Sequence, residues 1–162
     1  MKTIHTPGTL HIIHNPDGLT ERQLKKASEG FGKRVARIVN GQRVVLDVGI
    51  ADLIVMMNKK QFKTRFCCSG IKADHPRGER SLRTQIRCPL DAYTGEKILQ
   101  LLNLIEGVAT IGFNYSMGSG RWLDIEFHSS QMPERREERG DKWFDNWLRA
   151  DIACLLRRFS KL

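Results

Sequence analysis

Residues 47–70, DVGIADLIVMMNKKQFKTRFCCSG, decide the fold class. Ile50, Leu53, Ile54 and Met57 recur at i, i+3, i+4 and i+7, one face of a helix, so this spacing predicts a helix over Val48–Lys59. Asp47 stands where an N-cap is wanted. From Lys63 to Cys68 the pattern changes to a strand that runs into Ser69-Gly70. A helix feeding a short strand needs a sheet to pack on. The rest of the chain supplies one.

Working outward, Leu10 to His14 predicts a short strand and Asn15-Pro-Asp-Gly a turn. Thr20 caps a helix from Glu21 to about Gly30. Val35–Val39 and Arg43–Asp47 form a hairpin about Asn40-Gly41. Beyond the central stretch come a polar loop over residues 71–82 and a strand over Arg83–Leu90. A helix over Gly95–Glu106 follows, capped by Thr94 and closed by Gly107. Val108–Tyr115 is the next strand. In the strand after it, Leu123, Ile125 and Phe127 alternate with Asp124, Glu126 and His128, which face solvent. Residues 129–141 predict a charged loop, with Glu134-Arg-Arg-Glu-Glu-Arg as a solvated face, and Asp141–Phe159 a terminal amphipathic helix. After the first strand, the order helix–strand–strand occurs three times before the last helix. The expected fold is therefore α+β: one domain over residues 1–162, with a mainly antiparallel or mixed sheet and helices packed on one face.

A chain of 162 residues is long enough for one well-buried core. It has no run of about 18 apolar residues, so no transmembrane helix is expected, and its N-terminus lacks signal-peptide character. Four cysteines (Cys67, Cys68, Cys88 and Cys154) are too few for a disulfide framework and suit a reducing, cytoplasmic setting. Lys and Arg number 27 against 18 Asp and Glu, a formal net charge of +9. The excess is uneven: residues 59–87 carry nine basic and two acidic side chains. A concentrated positive field points to a phosphate-bearing or polyanionic partner rather than a membrane.

That basic block surrounds the densest chemical signature, Phe62-Lys-Thr-Arg-Phe-Cys-Cys-Ser-Gly. A strand ending in small polar residues and Gly offers backbone N–H groups that cradle anions. The candidate ligand-binding residues are Lys63, Thr64, Arg65, Cys68, Gly70, Lys72, Arg77, Arg83 and Arg121. The candidate catalytic residues are Ser69, Cys67 and His75. Alternation puts Lys63, Arg65 and Cys67 on one strand face and Thr64, Phe66 and Cys68 on the other. Phe66 and Cys68 are expected to point inward, with Cys67 as an exposed, low-pKa thiol. The competing reading makes both cysteines small core residues. Asp74-His75 is a candidate acid–base pair oriented toward Ser69, and a triad of Ser69, Asp74 and either His75 or His128 matches no nucleophile-elbow spacing. His11 and His14 fall on opposite faces of a strand, with no Cys or carboxylate nearby to complete a tetrahedral set, so no metal site is expected. No Walker loop, dinucleotide fingerprint, RNP-type strand or zinc finger is present.

Over about residues 47–130 the chain resembles the tRNA wybutosine-synthesising methyltransferases of the third pathway step. Their helix ends in an Asn and is followed by a strand reaching Thr-Ser-Ser-Cys-Ser-Gly-Arg. Here Asp52-Leu53-Ile54 through Asn58, then Thr64 through Cys68-Ser69-Gly70, looks similar, and Gly112-Phe113 and Leu123 to Ser129 follow in the family's order. Arg65-Phe66-Cys67 stands in place of Thr-Ser-Ser, Ile71 in place of Arg, and Asn114 where the family has Arg after Gly-Phe. The resemblance implies an RNA-directed protein and S-adenosylmethionine as cofactor. Two further expectations stand beside it. One is a non-enzymatic nucleic-acid- or nucleotide-binding accessory or counter-defence protein of a mobile element. The other is an interaction module for an acidic protein. The sequence does not decide between turnover and binding alone.

Overall fold

The computed structural model describes residues 11–12, 34–75, 84–118 and 120–162. The expected helix at 21–30, Arg77 and Arg83 lie outside the described residues. In chain order the elements are β1 (His11–Ile12), β2 (Arg34–Val39), β3 (Gln42–Asp47), α1 (Ala51–Lys59), β4 (Phe66–Cys68), β5 (Gln85–Pro89), α2 (Gly95–Ile105), β6 (Ala109–Ser116), β7 (Gly120–Phe127), α3 (Pro133–Arg139) and α4 (Asp141–Ser160). Short 3-10 turns occupy Lys72–Asp74, Leu90–Ala92 and Ser129–Gln131.

The strands form two sheets, ordered β1-β3-β2 and β4-β5-β7-β6, and every pairing is antiparallel. The α+β class is as expected, with two sheets rather than one. Asn40 and Gly41 take φ of 50° and 76°, the two positive values that a two-residue hairpin turn with the twist of its strands requires. In the larger sheet, register puts Cys67, Ile86, Ile125 and Ile111 in one row across β4, β5, β7 and β6. That row faces the core, built with Leu53 and Met57 of α1, Leu101 of α2, and Phe144 and Leu155 of α4. Val44 and Leu46 of β3 join the same cluster, so one hydrophobic core serves both sheets.

The opposite face of that sheet is polar. Asp124 sits there, yet it is buried, because Arg87 grips it from β5 through Nε at 2.7 Å and Nη2 at 3.0 Å. Asn114, on β6, also donates to Asp124. The alternation of β7 is as expected. Burial of Asp124 is not, and cross-strand partners explain it: a charge is covered only where a counter-charge reaches it.

Thr94 caps α2 as expected, accepting from the Lys97 amide at 3.2 Å. Asp47 does not cap α1. That helix starts at Ala51 behind Ile50, whose side chain makes no cap bond. α3 lies where a charged loop is expected; Pro133 at its first position presets the helical φ.

Candidate functional site

β4 is buried on both faces. Cys67 lies opposite Ile86 in the core, and Cys68 faces the other way. The alternation is as expected, but its direction is reversed: Cys67 points inward. Burial, then the charge of Asp47, pushes its thiol pKa well up, the opposite of an exposed, activated cysteine. Period-2 patterning fixes which residues share a face. The partner strand decides which face is core.

The turn after β4 is closed by the chain's own carboxylates. Ser69 is fully buried: its amide donates to Asp47 Oδ2 at 3.0 Å, and its Oγ donates to Asp74 Oδ2 at 2.8 Å. The Ile71 amide donates back to Ser69 Oγ at 3.3 Å. The amides of Lys72 and Ala73 donate to Asp145 of α4 at 2.7 and 3.0 Å. Gly70 holds φ at 65°, and its carbonyl accepts from Arg136 Nη2 at 2.9 Å. The turn does gather N–H donors as a phosphate cradle would. Asp47, Asp74 and Asp145, with the Ser69 hydroxyl, already fill it.

His75 also departs from expectation. Its Nε2 is 3.0 Å from Asp47 Oδ2 and 3.6 Å from Cys68 Sγ, and it turns to these rather than to Ser69. All three side chains are buried, and the buried Arg34 guanidinium lies 3.6 Å from Asp47 Oδ1. A nucleophile–base–orienter relay uses opposite ring nitrogens of the histidine. Here Cys68 and Asp47 meet the same nitrogen, and Ser69 is engaged by Asp74, so neither a cysteine nor a serine relay is assembled. Sequence patterning does not reveal the role of Asp47, because Cys68, Ser69 and His75, which it meets here, lie more than twenty residues away.

Burial pulls the His75 pKa down. The hydrogen bonds to Asp47 and Cys68 and the charge of Asp47 outweigh it and push the value from 6.5 to about 10. A folded pKa above the unfolded one stabilises the fold fully below about pH 6.5, and the contribution fades as pH rises through about 10. The expected result is a stability gap between wild type and His75→Gln that narrows across that window in metal-free urea titrations. A gap that widens with pH contradicts a charged His75.

A separate cleft of about 160 Å³ opens between the β2–β3 hairpin and the chain entering β4. Lys63, Thr64 and Arg65 line it with Asn40, Gln42 and Pro89. Asn58 at the end of α1 organises the wall. Its Nδ2 donates to Ile54 O and Thr64 Oγ1, both at 2.8 Å, while its Oδ1 accepts from Thr64 N at 3.2 Å and Asn40 Nδ2 at 3.0 Å. This ties helix end, hairpin turn and strand entry together. Lys63 and Arg65 are solvent-exposed. Of the expected ligand-binding residues, the structure brings these three together at the cleft. Cys68, Gly70 and the Lys72 backbone belong to the closed turn. Arg121 is paired with Asp91 at 2.6 Å.

Comparison with protein-family models, with curated proteins and with solved structures finds no match. Among the described residues, no helix is long and apolar enough to cross a membrane.

Proposed function

We propose that the protein binds RNA, or another nucleic acid, by its phosphate backbone at the cleft of Lys63, Thr64 and Arg65. The observation that carries this reading is the placement of two exposed cations and a fixed Thr beside a concave, uncharged surface made by the amides of Asn40 and Gln42 and the apolar Val39, Val44, Ile54 and Pro89. The basic stretch 59–87, whose nine basic residues include Lys63 and Arg65, supports it by supplying the long-range attraction that polyanions follow.

Size narrows the ligand. A cleft of about 160 Å³ is well below the ~300 Å³ at which small-molecule pockets begin. It suits one phosphate or sugar–phosphate unit of a longer chain better than an enclosed S-adenosylmethionine. Among the described residues, those lining it include no Asp, Glu, His or Cys, so these offer no carboxylate, imidazole or thiol for acid–base work. This favours binding without turnover over the methyl transfer that the family resemblance implies, while keeping its RNA-directed character.

The test is fluorescence anisotropy of a labelled single-stranded RNA over a salt series. Lys63→Ala and Arg65→Ala are each expected to weaken binding about threefold to tenfold and to lower the salt slope by about one. Lys161→Ala, beyond the end of α4, is expected to leave both unchanged. If both cleft variants bind like wild type, the cleft reading is wrong. If no nucleic acid binds at low salt, an acidic protein partner becomes the better account of the charge.

A further inference from the structure

The buried group beside the closed turn has a geometry that a hydrogen-bonded knot does not require. Asp47 comes from the end of β3, Cys68 from the end of β4, and His75 from the residue after the 3-10 turn. One donor atom from each lies within 4.8 Å of the others, and all three side chains are buried. From these positions we propose that Asp47, Cys68 and His75 form a site for one divalent transition-metal ion of the zinc class.

The two separations from His75 are close to those of a tetrahedron. With bonds of about 2.0–2.2 Å to N and O and about 2.3 Å to S, tetrahedral angles put N and O roughly 3.3 Å apart and N and S roughly 3.6 Å apart. The observed separations are 3.0 Å for His75 Nε2 to Asp47 Oδ2 and 3.6 Å for His75 Nε2 to Cys68 Sγ. Convergence of both partners on one ring nitrogen defeats a catalytic relay, and it is what a shared metal demands. The donor chemistry selects the ion: thiolate and imidazole favour zinc, whereas magnesium and calcium take oxygen. Two anionic ligands balance a divalent charge. Outer partners are in place as metal sites require, since the Ser69 amide fixes Asp47 Oδ2 and Arg34 flanks Oδ1. Binding displaces the protons of Cys68 and His75 to solvent, with no change of oxidation state. Three protein ligands among the described residues leave one tetrahedral position for water. The site stands independently of the cleft, which uses other residues.

The experiment treats the full chain with chelator and titrates it with Co²⁺, a coloured stand-in for zinc. The expected result is near-ultraviolet thiolate charge-transfer absorption with strong visible bands, saturating at one ion per chain and bleached by Zn²⁺. Cys68→Ser is expected to abolish the charge-transfer band and His75→Gln to weaken Co²⁺ binding at least about tenfold, with circular dichroism reporting the fold. Cys154→Ser is expected to leave the titration unchanged. X-ray absorption of the zinc-loaded wild type gives a reading that needs no variant, with one sulfur at about 2.3 Å and the remaining ligands N or O. No Co²⁺ band in wild type, a band that survives in folded Cys68→Ser, or a zinc shell with no sulfur or more than one overturns the site.

Discussion

Asp47→Ala is expected to lower the unfolding free energy by about 3–5 kcal/mol, the usual cost of leaving a buried ionic partner unmatched. The carboxylate takes the Ser69 amide and His75 on one oxygen and faces Arg34 with the other. Truncation takes away the carboxylate that faces the buried Arg34 guanidinium and returns His75 toward its neutral form. It also frees the turn that follows β4. The control is Asp52→Ala, which breaks the exposed 3.4 Å pair with Arg37. Exposed pairs contribute about 0–1 kcal/mol, so that variant is expected to unfold close to wild type. Urea titrations of the three proteins decide the matter. Loss below about 1 kcal/mol in Asp47→Ala would mean that the carboxylate does not hold the turn.

Phe62→Ala is expected to cost a similar amount, about 3–5 kcal/mol. Phe62 is fully buried between the end of α1 and α4, edge-on to Phe159 with ring centroids 5.1 Å apart. Lys97 Nζ sits 3.8 Å from its ring centre on a further side. The Phe62 amide donates to Met57 O at 2.8 Å, so the residue ends the helix and anchors the chain at once. Lys63, Thr64 and Arg65 follow directly. Loosening the anchor is therefore expected to reduce RNA affinity as well as stability. Phe62→Leu keeps most of the apolar contact and is expected to be milder on both counts. A loss under about 1 kcal/mol for the alanine variant would show that the surroundings collapse onto the cavity, contrary to the packing described.

What the sequence made legible was local. Asn40-Gly41, Thr94 and the heptad-like spacing of Ile50 to Met57 each carry their own stereochemistry, and the structure places a hairpin, a cap and a helix there. Pairs that meet across the fold left no such trace. Asp47 resembles an N-cap because it precedes a helix; its carboxylate is instead claimed by residues 69 and 75. Cys67 and Cys68 were separable by alternation, but the direction of each depended on β5. Pro133 was a start signal for α3 that the dense charge run after it obscured. At the site, Lys63, Thr64 and Arg65 were legible as a cationic strand entry. Closure of the Ser69–Ala73 turn by Asp145, more than seventy residues later, was not.

The central claim is that phosphate meets the protein at the cleft and not at the strand-end turn. Amide-resolved NMR of the labelled protein, titrated with a short single-stranded RNA, tests it most directly. The account predicts saturable shift changes at residues 39–42 and 63–65, with the amides of Ser69, Ile71, Lys72 and Ala73 held by their internal partners and little moved. Changes concentrated at residues 69–73, with the cleft amides unmoved, would contradict it.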